Sequence, residues 1–173
     1  MRYEHVIVGG GLAGGMVAQE YREQGGDGSV LIIAREAHTP YHRPPLTKGY
    51  LRGEAGPDEV FMHPDEWWKE QSVEVRTGTE AAAIDTSAHT VTLTGGEEVT
   101  YGRLVLATGS TARTLPGTSH LRTVDDSDAL AKQLDSGSGH LGVIGGGFIG
   151  VEAAASARMK GWDVTMAVPE NVV

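Results

Sequence analysis

Gly9, Gly11 and Gly14 stand at the spacing G-x-G-x-x-G within Val6-Ile7-Val8-Gly9-Gly10-Gly11-Leu12-Ala13-Gly14-Gly15. An apolar run stops at the glycines, and a helical pattern follows through Met16, Val17, Ala18, Gln19, Glu20 and Tyr21. The pattern predicts a buried strand, a tight turn and a helix N-terminus aimed at a pyrophosphate. Gly9 permits the turn, Gly11 admits phosphate oxygens against the backbone, and Gly14 lets the helix pack onto the strand. One such turn is weak evidence, because glycine-rich turns also form for purely structural reasons. The sequence repeats it at His140-Leu141-Gly142-Val143-Ile144-Gly145-Gly146-Gly147-Phe148-Ile149-Gly150-Val151-Glu152. Two such turns predict two dinucleotide sites. Two dinucleotides on one protein point to electron or hydride transfer between them, typically a flavin and a nicotinamide.

Two further groups could serve that chemistry. An acid about 20 residues past the glycines binds a ribose hydroxyl pair in dinucleotide folds, and Glu36 lies at that distance. The alternative for Glu36 is a surface acid in a loop. In Pro40-Tyr41-His42-Arg43-Pro44-Pro45-Leu46-Thr47-Lys48 the prolines predict an extended segment, and Thr47 could start a turn or helix carrying Lys48. Arg43 and Lys48 bring two cations toward the strand ends, where a pyrophosphate or a flavin edge could receive them. The alternative is an exposed basic loop.

The elements that must position these residues follow in order. Residues 24–28 read as a helix stop and 29–34 as a buried parallel strand ending at Arg35-Glu36. Residues 63–70 predict a short helix with Pro64 near its first position, and Trp67 and Trp68 read as packing residues. Residues 73–77, 82–85 and 90–94 are strand candidates, and Gly95-Gly96 reads as a hairpin turn into a strand over 98–101. This region predicts a small antiparallel meander set into a parallel sheet. Residues 103–109 read as another buried strand, Thr123 as a helix start, and 136–139 as a linker before the second glycine turn. A strand over 162–168 follows that turn.

The chain has 173 residues, enough for one medium domain or one domain with part of another. Cysteine is absent, which removes disulfides, thiolate metal sites and thiol redox centres from these residues. The net charge of −9 argues against nucleic acid as a partner. No apolar run approaches the roughly 20 residues that span a bilayer, so no membrane insertion is expected. The N-terminus lacks the pattern of a secretory signal, and the expected compartment is cytoplasmic.

Four stretches together resemble the two-dinucleotide-binding flavoprotein disulfide reductase superfamily, within it the ferredoxin/rubredoxin reductase and apoptosis-inducing-factor branch. They are the Gly9 to Gly14 turn, Tyr41-His42-Arg43-Pro44-Pro45-Leu46-Thr47-Lys48, Tyr101-Gly102-Arg103-Leu104-Val105-Leu106-Ala107-Thr108-Gly109, and the turn from Gly145 to Glu152. The Arg-Pro-Pro-Leu-Thr-Lys element selects the branch; the glycine turns alone do not. The resemblance implies an α/β fold: a Rossmann-like FAD-binding domain over residues 1–114 and the start of an NAD(P)-binding βαβ domain over 115–173. It implies FAD at the first turn, on Gly9, Gly11, Leu12, Ala13 and Gly14, with Glu36 on the adenosine ribose. Ala81 would meet the adenine, Ala107, Thr108 and Gly109 would close over the cofactor, and Arg122 would add a contact. Arg43 and Lys48 would meet the flavin side, and Gly145, Gly147, Ile149 and Gly150 would hold NAD(P)H. Lys48 and Glu152 are expected to meet as an ion pair beside the flavin, although an acid in a first helical turn is favourable anyway.

The implied activity is reduction of FAD by NAD(P)H, with electrons then passing singly to a ferredoxin- or rubredoxin-type carrier. A flavin- or nucleotide-binding module without turnover is the competing reading. A thiol-based NADH oxidase or disulfide reductase is disfavoured, because no cysteine lies near Arg43 or Lys48. The second ribose acid usual in relatives is replaced by Val168, with Glu170 two residues on, which leaves the NADH/NADPH choice open. The chain is expected to be a fragment that associates with itself or with a missing C-terminal portion, through apolar strands around Val143, Ile144, Val164 and Met166.

Overall fold

A computed structural model describes residues 1–168; Glu170 lies outside them. By packing, the chain forms two compact units. One comprises Met1–Tyr41 with Phe61–Ser110, the other His42–Val60 with the chain from Thr111 onward.

The first unit is built on a six-stranded mixed sheet. Strands β1 (Arg2–Val8), β2 (Val30–Ile33), β3 (Val73–Arg76), β4 (Ala81–Asp85), β5 (Thr90–Leu93) and β6 (Glu98–Leu106) stand in the order β3-β2-β1-β6-β5-β4. β1 pairs in parallel with both β2 and β6, and β2 in parallel with β3. Side chains alternate across the sheet, as a period of two requires. Val6, Val8, Leu31 and Ile33 pack on one face with Val91, Val99 and Tyr101. Ile7, Val30 and Ile32 pack on the other with Trp68 and with Ala18 of helix α1 (Leu12–Glu23). A parallel strand covered on both faces has no polar side, which explains the unbroken Val30-Leu31-Ile32-Ile33.

Four sequence expectations are corrected here. The hairpin strand over 98–101 and the buried strand over 103–109 are one nine-residue strand, β6. Gly102 does not interrupt it: a Cβ there would come within 2.9 Å of the Glu4 carbonyl, so glycine is what lets β6 lie against β1. β6 is also only partly covered toward its end, where Leu106 is exposed. The meander is confined to β4, β5 and the first half of β6, which pair antiparallel; β3 joins the opposite edge in parallel. Finally, Pro64 precedes helix α3 (Asp65–Glu70) as its N-cap, and Trp68 is the buried member of its tryptophan pair.

The second unit holds a two-stranded parallel sheet, β7 (His140–Ile144) and β8 (Asp163–Ala167), linked by helix α5 (Phe148–Met159). Helices α2 (Gly49–Arg52) and α4 (Val124–Leu134) pack with it: Leu51, Leu134, Ala153 and Ala157 form one buried cluster, edged by Trp162, whose indole N–H donates to the Leu134 carbonyl at 3.0 Å. On β7 and β8 the burial alternates between half-buried and exposed, and Ile144 is exposed. Residues 44–45, expected to be extended, lie instead in a 3-10 turn (Pro44–Thr47), where a missing N–H and a fixed φ suit the first positions. Among the described residues no helix is long and apolar enough to cross a membrane.

Helix α4 carries a complete capping box. Thr123 accepts from the Asp126 N–H at 3.2 Å, and Asp126 accepts from the Thr123 N–H at 2.8 Å and the Arg122 N–H at 2.9 Å. Burial opposes charge on Asp126, but the bonds from Thr123 and Arg122 and the nearby His120 outweigh it and hold the carboxyl below its usual 3.8. A folded-state value below the unfolded one means that this stability is present above the unfolded value and is lost as pH falls through the folded one. Asp126→Ala is expected to cost about 1 kcal/mol at neutral pH, the usual worth of a cap. Thermal melts should show that cost shrinking as pH drops below 3.8.

Candidate functional site

In the first unit the strand β1 ends at Gly9, whose φ of +123° lies where side chains are rarely tolerated. A Cβ at Gly9 would stand 2.0 Å from the Ala107 carbonyl, and one at Gly14 would stand 2.0 Å from the carbonyl of Gly9. Both glycines are therefore demanded by the chain's own backbone. Gly11 is not: a Cβ there would meet nothing within 4 Å. It is the N-cap of α1, in extended backbone, with no side-chain cap and no acid in the first turn. Leu12 and Ala13 open that turn on the exposed side.

The second unit builds the same device. Gly145 has a φ of +109°, and a Cβ at Gly150 would lie 2.4 Å from the Gly145 carbonyl. Gly147 is the N-cap of α5, again with no side-chain cap, no acid in the first turn and no atom within 4 Å of a built Cβ. The contrast with α4 is chemical: its orphan N–H groups are satisfied by Thr123 and Asp126, whereas α1 and α5 leave theirs, and their positive dipole ends, facing open space. A pyrophosphate fits such a cradle.

Around the first turn, Ala107 and Thr108 lie directly against Gly9, while Thr108 and Gly109 are exposed. Glu36 follows β2 and accepts from the hydroxyl of buried Tyr41, and its carbonyl accepts from the Gly78 N–H at 2.9 Å. Arg35 and Glu80 approach at 3.9 Å on the surface beside it. Ala81 begins β4.

The cations of the Arg-Pro-Pro-Leu-Thr-Lys element converge with α5 in the second unit. Lys48 and Glu152, 104 positions apart in sequence, meet with Nζ 2.7 Å from Oε2. The Thr47 hydroxyl donates to the same oxygen at 2.5 Å. The Lys48 bond first, and the Thr47 bond second, hold the Glu152 carboxyl below its usual 4.5 against a weaker effect of burial. Two buried hydroxyls fix the segment's backbone: Ser127 donates to the Leu46 carbonyl at 2.8 Å and Ser156 to that of Thr47 at 2.7 Å. Arg43 donates to the Arg122 carbonyl at 2.6 Å. Arg43, Lys48, Arg122, Ile149 and Glu152, with the exposed Phe148, line an open cleft of about 270 Å³.

The Lys48–Glu152 pair is present as expected, whereas Thr47, expected to start a turn or helix carrying Lys48, ends the 3-10 turn with its side chain on Glu152, and Lys48 is the N-cap of α2. Ser127, Ser156 and Tyr41 went unnoticed. Their partners lie 81, 109 and 5 residues away; for the two serines the available signal was a hydroxyl among the buried positions of a helix, and for Tyr41, outside any helix, there was none.

The chain resembles several characterised proteins. The ferredoxin–NAD(+) reductase component of the anthranilate 1,2-dioxygenase system of Burkholderia cepacia is 39% identical over 171 residues, covering 95% of this chain and 42% of that protein. The crystal structure of the covalent putidaredoxin reductase–putidaredoxin complex superposes with a TM-score of 0.88 at 36% identity, over 99% of this chain and 44% of the matched one. NADH:rubredoxin oxidoreductase from Clostridium acetobutylicum gives a TM-score of 0.85 at 26% identity, over 97% of this chain and 45% of that one. The chain thus spans under half the length of these relatives. Residues 3–170 match the family model directly, and the chain belongs to the pyridine nucleotide-disulphide oxidoreductase family.

Proposed function

We propose that this chain carries the FAD-binding part, and the opening of the nicotinamide-binding part, of an NAD(P)H-dependent flavoprotein reductase that passes electrons to a ferredoxin- or rubredoxin-type carrier in the cytoplasm. The cofactor regions would divide as 1–114 and 115–173. The observation that carries this reading is the meeting of Lys48 and Glu152 at 2.7 Å in a cleft lined by the first residues after the second glycine turn. The names of the relatives support the carrier class.

Bound FAD would supply the redox chemistry, a two-electron, one-proton hydride acceptor on the NAD(P)H side and a one-electron donor on the carrier side. The chain's part is to bind and to set the field. Gly11 and the α1 N-terminus would take the FAD pyrophosphate, Glu36 its ribose, and Ala81, Ala107, Thr108, Gly109 and Arg122 further parts of it. Gly145, Gly147, Ile149 and Gly150 would take the nicotinamide dinucleotide. The Lys48 ammonium would favour the negative charge gained on reduction, and Glu152 would hold that ammonium in place and moderate it.

The visible spectrum of the complete purified enzyme, in which the variants below are also made, tests this. NADH or NADPH is expected to bleach the flavin band; a protein that binds flavin without bleaching is a module without turnover. Gly11→Val should strongly lower flavin content while costing the flavin-free protein only about 1 kcal/mol, the scale of an N-cap change where the added side chain meets nothing. Gly14→Ala, by contrast, should destabilise the flavin-free protein by about 1–3 kcal/mol, because its Cβ presses on a carbonyl. Lys48→Ala should slow flavin reduction more than it lowers flavin content; an unchanged stopped-flow rate would count against the assignment.

A further inference from the structure

Thr47 is buried, yet its hydroxyl is aimed at a carboxylate on another element. The nearer alternative acceptor by sequence, the Pro44 carbonyl, lies at 3.4 Å against 2.5 Å to Glu152 Oε2. Thr47 is also held by its backbone, since Ser156 donates to its carbonyl at 2.7 Å. Glu152, Ser156 and Lys160 recur every fourth residue along one face of α5 and its C-cap. All three engage the segment 47–52: Glu152 takes Thr47 and Lys48, Ser156 takes Thr47, and Lys160 donates to the Arg52 carbonyl at 3.3 Å. Thr47 and Arg52, at the two ends of the segment, are thus each gripped at both backbone and side chain by this stripe, Arg52 through its guanidinium on the Ser156 hydroxyl at 3.1 Å, and Thr47 is the one of the two that shares its acceptor with Lys48.

We propose that Thr47 is a positioning residue for the Lys48–Glu152 pair, fixing which carboxylate oxygen the lysine takes and leaving Oε1 for an incoming donor. The proposal rests on the reading of that pair as cofactor-facing. Lys48 cannot supply this direction itself. Its side chain is 48% exposed, its other contact is a long 3.3 Å bond to the Pro44 carbonyl, and an ion pair so open to solvent is held loosely. An ammonium is moreover a point charge on a flexible stem, with no preferred angle toward a carboxylate. Thr47 differs in each respect: it is buried, β-branched and stiff at χ1, and anchored through Ser156. Its bond and that of Lys48 fall on the same Oε2, and the two donors together depress the Glu152 carboxyl.

The test compares Thr47→Val, which keeps the shape and removes the donor, with Thr47→Ser, which restores a hydroxyl, and uses Glu152→Gln as reference, all in the flavin-loaded protein. The Glu152 carboxyl is followed by carbon NMR of glutamate-labelled protein and assigned by its loss in Glu152→Gln. Its titration is expected to move upward in Thr47→Val and to return toward the wild-type position in Thr47→Ser, with flavin content equal in both. The rate at which excess NADH or NADPH bleaches the flavin should fall about tenfold in Thr47→Val, the factor made by about 1.4 kcal/mol of barrier, and recover in Thr47→Ser. A Thr47→Val carboxyl that titrates as in wild type overturns the proposal. So does a wild-type bleaching rate in Thr47→Val while Glu152→Gln is slow. If the titration moves but bleaching is unchanged in both Thr47→Val and Glu152→Gln, the cofactor-facing reading fails and takes the proposal with it.

Discussion

Each glycine turn depends on one carbonyl oxygen. The carbonyl of Gly9 reaches so close to α1 that position 14 has no room for a Cβ, and the carbonyl of Gly145 does the same to position 150 on α5. This approach locks the first turn of the helix against the end of the strand before it. With backbone packed so tightly there, the middle glycine faces outward, and neither helix brings an acid or a hydroxyl to its own N-terminus. The result is a positive helix end, roughly half an elementary charge, held rigidly and left for a ligand. Where no ligand is implied, at α4, the chain supplies Thr123 and Asp126 instead.

That logic explains what the sequence made legible. First and third glycines are read easily because local sterics decide them: a positive φ and a contact five residues along the chain. Strands β1 and β2 are equally plain, since burial on both faces leaves only apolar residues. β6 was not plain. Gly102 looks like punctuation within the strand, and only the neighbouring Glu4 carbonyl explains why glycine sits there. A strand that pairs antiparallel over its first half and parallel along its length also changes its burial pattern midway, so one element reads as two.

The Arg-Pro-Pro-Leu-Thr-Lys segment was legible in chemistry but not in shape. Its cations suggested an anion or a cofactor, and the pairing of Lys48 with Glu152 was expected only once the family resemblance placed both residues beside the flavin. The 3-10 turn over Pro44–Thr47 did not follow, because two adjacent prolines suit an extended chain as well as the start of a turn. What selects the turn is tertiary. Ser127 and Ser156, on α4 and α5, offer donors to the Leu46 and Thr47 carbonyls, and the turn presents those carbonyls to them.

Buried hydroxyls do this better than apolar packing would. A satisfied hydrogen bond adds only about 1 kcal/mol net, but leaving its buried partner unmade costs about 1–3 kcal/mol. An apolar contact between Leu51 and Ala153 or Ala157 could survive a small slide of the segment along α5, with other methyls taking over. The hydroxyl contacts could not. A shift of one residue would break the bonds at Leu46, at the Thr47 carbonyl and at the Thr47 side chain together, stranding polar groups at each. The apolar cluster therefore supplies adhesion and the hydroxyls supply register. It is register that brings Lys48 to Glu152, and with it the charge to a place where a glycine turn, an uncapped helix end and an open cleft coincide.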